Sequence, residues 1–107
     1  DDICAIYKLG DMYRNGDLPE DPVYFMALYR KAFELAVKEG DLWNYPDAYL
    51  RVLKYCSEEF DKQTLFDIAS DCVNGLKARI EKGDNYSEGL LKEAESLKLK
   101  YTVKEGE

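Results

Sequence analysis

The stretch Ala5-x3-Leu9-Gly10-x2-Tyr13-x2-Gly16, followed by Asp21-Pro22 and then Leu28-Tyr29-x2-Ala32, spaces small and aromatic residues as a helical hairpin does. Two apolar stripes at helical spacing are joined by a short loop that carries Gly and Pro. A lone hairpin cannot bury its own apolar face, so a unit of this kind stacks on a neighbour. The spacing therefore describes a scaffold and names no chemistry.

Outward from that stretch, five helical segments can be drawn. The first spans about Ile3 to Arg14, with Ala5, Ile6, Leu9 and Tyr13 expected on its inward face, and Asn15-Gly16-Asp17 stops it. Asp21-Pro22 opens the second, because Asp accepts from free helix N–H groups and Pro at the first position forfeits no hydrogen bond. Its stripe is Phe25, Leu28, Tyr29, Ala32 and Ala36, and Gly40-Asp41 ends it. Pro46-Asp47 starts the third, with Ala48, Tyr49, Val52, Leu53 and Cys56 inward. Asp61 caps the fourth, whose stripe is Leu65, Ile68, Ala69, Cys72, Leu76 and Ile80, before Gly83-Asp84-Asn85 breaks it. The fifth, Ser87 to Tyr101, sets Leu90, Leu91, Ala94, Leu97 and Tyr101 against the charged side Lys92, Glu93, Glu95 and Lys98. No β-branched run of period two persists, so the expected class is all-α.

With 107 residues the chain is one domain with a modest core, and an apolar share of 46% argues against disorder. No apolar run nears the roughly 20 residues that cross a bilayer, and Asp1-Asp2 stands where a signal peptide would be basic. With no initiator Met and periodicity already under way at Ile3, the sequence is expected to be a piece of a longer chain. A formal charge of −7 repels phosphate backbones and acidic lipid headgroups, which disfavours nucleic acid and membrane surfaces as partners. Cys4, Cys56 and Cys72 are an odd count without metal-ligand spacing; reduced thiols in a cytoplasmic protein are the plain reading.

The helices pair, and the pairs echo one another. Ala5-x3-Leu9-Gly10-x2-Tyr13 recurs 43 residues later as Ala48-x3-Val52-Leu53-x2-Cys56, and the second-helix caps Asp21 and Asp61 stand 40 residues apart. That period exceeds the about 34 residues of a tetratricopeptide unit. The run Leu9-Gly10-Asp11-Met12-Tyr13-Arg14-Asn15-Gly16, with Glu20-Asp21 and Leu28-Tyr29-Arg30-Lys31-Ala32, resembles a Sel-like repeat, a cousin of the tetratricopeptide repeats. The loop departs from the family pattern, with Leu18-Pro19 in place of Gly-Val, and the second copy is degenerate. The resemblance implies a right-handed α-solenoid of helical hairpins, about two repeats plus a C-terminal capping helix. It also implies a protein-protein interaction scaffold with no catalytic residues. The alternative is an accessory helical-repeat domain of a larger enzyme or signalling protein.

Mid-helix Gly10 gives up roughly 1 kcal/mol of helix propensity relative to Ala, which is tolerated where a second helix passes close by. Ala32 is the expected small partner, with Tyr13 and Tyr29 filling the wedge. On a helical wheel the face opposite Ala5, Leu9 and Tyr13 carries Tyr7, Asp11, Arg14 and Asn15, and the second pair has Leu50, Lys54, Ser57 and Glu58 at the equivalent places. Tetratricopeptide-like families bind ligands on this concave side, so the resemblance implies these eight residues as a groove for a protein or peptide.

Chemistry is hard to find elsewhere. Histidine is absent, which removes Ser-His and Cys-His nucleophile pairs, and no phosphate-cradling Gly motif occurs, so no cofactor or metal is expected. Glu58-Glu59 with Asp61 reads as a solvated helix end or a weak cation site, and Trp43-Asn44-Tyr45-Pro46 as a loop closing the hairpin junction or a peptide anchor. If the fifth helix caps the array, deleting Ser87 to Glu107 exposes the stripe of Leu65, Ile68 and Leu76 and causes aggregation. Size-exclusion chromatography of the truncated chain checks this, and a soluble monomer would count against the cap.

Overall fold

The computed structural model describes residues 2–18, 24–40 and 44–102. Within them the chain forms five α-helices: α1 (Ile3–Arg14), α2 (Tyr24–Glu39), α3 (Pro46–Tyr55), α4 (Lys62–Glu81) and α5 (Ser87–Lys100). A single 3-10 turn, Ser57–Glu59, lies between α3 and α4 and is not signalled by the apolar pattern. No strand occurs among the described residues, and none of their helices is long and apolar enough to cross a membrane.

Local chemistry sets the helix ends. Asp2 accepts from the N–H groups of Cys4 and Ala5 to open α1, and Asn15 followed by Gly16 at φ 83° closes it. Pro46 occupies the first turn of α3, and Asp61 accepts from the Thr64 N–H at 2.7 Å to open α4. Asp84 accepts from the Tyr86 N–H and from the Ser87 hydroxyl, which satisfies a serine buried at the start of α5. The expected Asp21-Pro22 opening of α2 lies outside the described residues, as does Trp43 of the expected Trp43-Asn44-Tyr45-Pro46 loop; of its other residues Tyr45 is half-buried against the core and Pro46 is buried at the start of α3.

Each helix packs mainly on its neighbours in the chain, and α1 also reaches α3. The stripes foreseen for α3 and α4 are buried, except that Ile80 is half-buried; Ala48, Val52, Ala69, Cys72 and Leu76 are fully enclosed. Ala94 of α5 and Tyr101 at its C-cap are buried, while Leu90, Leu91 and Leu97 pack partly buried against the same core. Aromatic rings fill the junctions between helices: Phe33 meets Tyr49 and Phe60 edge to face, and Tyr29 stacks on Tyr55 beside Phe25. Such pairs contribute about 0.5–1.5 kcal/mol each beyond area burial.

Two expectations need correction. α1 buries Ile3, Tyr7 and Gly10, while Ala5 is exposed and Leu9 remains 38% exposed; Ile6 and Tyr13 are half-buried. Apolar residues surround this helix (Ile3, Ile6, Tyr7, Leu9, Met12 and Tyr13), so periodicity leaves its rotation open and contact with α2 and α3 decides it. The same motif position is consequently enclosed in the second pair (Ala48, Val52) and open in the first (Ala5, Leu9).

The close approach at Gly10 is real, but its partner is Tyr29, one turn before Ala32. A Cβ at Gly10 would lie 2.8 Å from Tyr29 Cε1, 3.0 Å from Cδ1 and 3.4 Å from the Phe25 carbonyl oxygen. Tyr29 is fully enclosed, so its ring has nowhere to swing. Tyr13 leaves the wedge to stack on Tyr24, with ring centroids 4.8 Å apart.

Gly10→Ala should therefore lower the Tm although it removes a helix-propensity penalty. Overpacking of about 1–3 kcal/mol exceeds or cancels the roughly 1 kcal/mol gained. Gly10→Leu should be worse, and the Gly10→Ala penalty should be smaller when measured in a Tyr29→Leu background, where the ring is gone. A raised Tm for Gly10→Ala would show that the ring gives way.

Candidate functional site

α1, α3 and α5 together line one surface of the molecule. Arg14 from α1, Leu50, Arg51, Lys54 and Tyr55 from α3, and Leu90 and Glu93 from α5 border a cleft of about 100 Å³. It continues between α3 and α5 into a wider depression of about 410 Å³ bordered by Lys54, Lys92, Glu93, Ser96 and Leu97.

A polar network lies beside the cleft. Arg51 donates two hydrogen bonds to the Asp11 carboxylate, Nε to Oδ1 at 2.8 Å and Nη2 to Oδ2 at 2.6 Å, and a third to the Asp47 carbonyl. Tyr29 donates its hydroxyl to Asp11, while Arg14 donates to the Tyr29 oxygen at 3.0 Å and to the Tyr55 oxygen at 2.6 Å. The Arg51 guanidinium covers the Tyr7 ring at 4.2 Å, and that of Arg14 lies 4.5 Å from the centre of the Tyr55 ring. A planar, bidentate guanidinium–carboxylate pair of this kind is directional as well as charged.

Burial by itself raises the Asp11 carboxyl pKa, but the hydrogen bonds from Arg51 and Tyr29 and the Arg51 and Arg14 charges outweigh it and hold the group below its usual value. Burial, reinforced by the bond to Asp11, pushes the Tyr29 hydroxyl up to about 12. The network thus keeps Asp11 ionised and Tyr29 protonated at neutral pH.

The eight groove residues expected from the sequence divide into distinct sets. Arg14, Leu50 and Lys54 do meet at the cleft, although Leu50 is 5% exposed and forms its floor. Asp11 lies alongside, tied to Arg51. Tyr7 is 6% exposed and sealed beneath Arg51, so it is a core residue and offers no open surface. Asn15 caps the end of α1, and Ser57 and Glu58 sit in the 3-10 turn; none of the three borders the cleft. Arg51, Tyr55, Leu90 and Glu93 were missed. On the helical wheel Arg51 and then Tyr55 lie just beyond one edge of the face that holds Leu50 and Lys54, so widening that face by about 60° finds both. Leu90 and Glu93 become visible only when α5 is treated as a third member of the α1, α3 series.

Other candidates have structural work. Glu59 pairs with Arg30 at 2.8 Å and Asp61 caps α4, and among the described residues no group of His, Cys, Asp and Glu could hold a metal ion. Cys56 and Cys72 are free, buried thiols that point at the Met26 and Pro46 carbonyls, and burial pushes them up to about 11 and about 12. Arg79 of α4 donates to the Asp47 carboxylate and the Asn44 carbonyl, pinning the start of α3.

Asp11→Asn should reduce stability by about 1.5–3 kcal/mol at pH 7, the scale of a hydrogen bond to a charged group. The folded-state Asp11 carboxyl titrates below the roughly 3.9 of an unfolded chain. Its contribution is therefore complete above that value and is lost as pH falls through the lower folded-state value. The gap between wild type and Asp11→Asn, measured by urea unfolding, should narrow below about pH 4. A gap constant from pH 7 to pH 3 would contradict the assignment.

No family model, no curated protein and no solved structure matches the chain, so the resemblance to Sel-like repeats rests on the motif residues themselves.

Proposed function

We propose that this chain is a protein-interaction scaffold, a right-handed solenoid of helical hairpins that docks a protein segment on the side formed by α1, α3 and α5. The observation that carries the reading is the cleft to which three alternate helices contribute, lined by Leu50 and Leu90 together with Arg14, Lys54 and Glu93. Packing in chain order, with α1 reaching past α2 to α3, is the arrangement a stack of hairpins adopts. An apolar floor with polar flanks suits an extended or helical peptide held by one or two anchors. The reading needs no catalytic group. A cytoplasmic location is part of this proposal, and the free thiols of Cys4, Cys56 and Cys72 support it.

Selection from a random peptide display library tests the proposal. Selected peptides should perturb the amide NMR signals of α1, α3 and α5 and spare the outer face of α2. The charge-exchanged variant Lys54→Glu, Glu93→Lys keeps opposite charges at the two positions and, with its folding checked by circular dichroism, should weaken those peptides by about tenfold, or about 1.4 kcal/mol. Selection of no peptide, or perturbations confined to α2, would overturn the reading.

A further inference from the structure

The groove between α3 and α5 carries a charge opposite to that of the chain. Four cations line its two parts, Arg14, Arg51, Lys54 and Lys92, as does the carboxylate of Glu93. Asp11 neutralises Arg51, as its two hydrogen bonds show. Arg14 directs its hydrogen bonds at two phenol oxygens and shares the same Asp11 carboxylate at 3.9 Å, so four cations face two carboxylates, Asp11 and Glu93. The groove therefore keeps an excess of positive charge in a protein of net charge −7. At physiological ionic strength the Debye length is about 8 Å, so a short segment seated there meets the local charge and not the total.

Lys54 and Glu93 border both parts of the groove and bridge it at 3.1 Å. Their side chains are 35% and 45% exposed, and an ion pair that open to water contributes about 0–1 kcal/mol. A carboxylate arriving from outside can take the place of Glu93 on Lys54 at small cost. Resting on the interaction-scaffold reading, we infer that the groove receives an acidic protein segment whose carboxylate displaces Glu93 from Lys54, Glu93 acting as the internal competitor.

The chemistry of the walls sets the segment's pattern. Leu50, Leu90 and Leu97 receive an apolar side chain, and Arg14, Lys54 and Lys92 receive Asp or Glu side chains on either side of it. A long polyanion is a poor fit, because it extends beyond the groove into the acidic field of the remaining surface.

Three fluorescein-labelled peptides test this, identical in a leucine-containing core and flanked by glutamates, glutamines or lysines. Binding to the full chain is read by fluorescence anisotropy at two salt concentrations, with folding of each variant checked by circular dichroism. The glutamate peptide should bind about tenfold tighter than the glutamine peptide, with the advantage shrinking as salt rises. Lys54→Glu should abolish that advantage. Glu93→Gln, which removes the competitor, should tighten the glutamate peptide severalfold and leave the glutamine peptide unchanged. Equal binding of the glutamate and glutamine peptides, or no tightening with Glu93→Gln, overturns the inference. If glutamine or lysine peptides bind and perturb α3 and α5, the scaffold reading stands while the acidic preference falls; if no peptide binds here and display selection is empty, both fall.

Discussion

The Tyr29 side chain is the constraint on which the other packing choices depend. Its ring is enclosed, runs under the bare backbone of Gly10, stacks on Tyr55 and meets Phe25 edge to face. Its hydroxyl sits between the Asp11 carboxylate and the Arg14 guanidinium, and Asp11 in turn holds Arg51. One side chain of α2 thus determines how near α1 can lie and, through Asp11, where α3 is held. A hydroxyl placed so deep requires partners, since an unpaired buried polar group costs about 1–3 kcal/mol. The partners it finds are the charged residues that border the cleft.

The core and the candidate binding surface are consequently two sides of one arrangement. Arg51 screens Tyr7 from water with its flat face while its edge engages Asp11, so an ionic residue completes the burial of an aromatic one. Arg14 is oriented by phenols of two different helices, so its side chain is already ordered within the folded chain. Lys54 and Glu93, by contrast, hold one another in an exposed bridge. The cleft therefore combines a preset cation with a replaceable ion pair.

How far the sequence could be read differs between elements. The limits of α1, the start of α3 at Pro46, the Asp61 cap and the extent of α5 were legible because each depends on a few neighbouring residues. The stripes of α3 and α4 were legible because polar residues occupy their opposite faces. The face of α1 was not, since apolar residues encircle it. Tyr7 accordingly moved from the expected groove into the core, and Leu9 from the core to the surface. The partner of Gly10 was misplaced by one turn, because spacing says that a helix crosses closely without saying at what height.

Five helical segments, the limits of α1, α3, α4 and α5, and the end of α2 were legible in the sequence, as was the use of aromatic rings and small residues as packing. These are properties of short windows, in which capping, glycine conformation and apolar period act on neighbours. Tertiary structure alone decided which side of α1 is buried, that Arg51 would reach Asp11 across 40 positions in the chain, and that α5 would bring Leu90 and Glu93 beside Leu50 and Lys54. Those outcomes follow from how helices dock, and docking is settled by the summed fit of side chains that no local pattern contains.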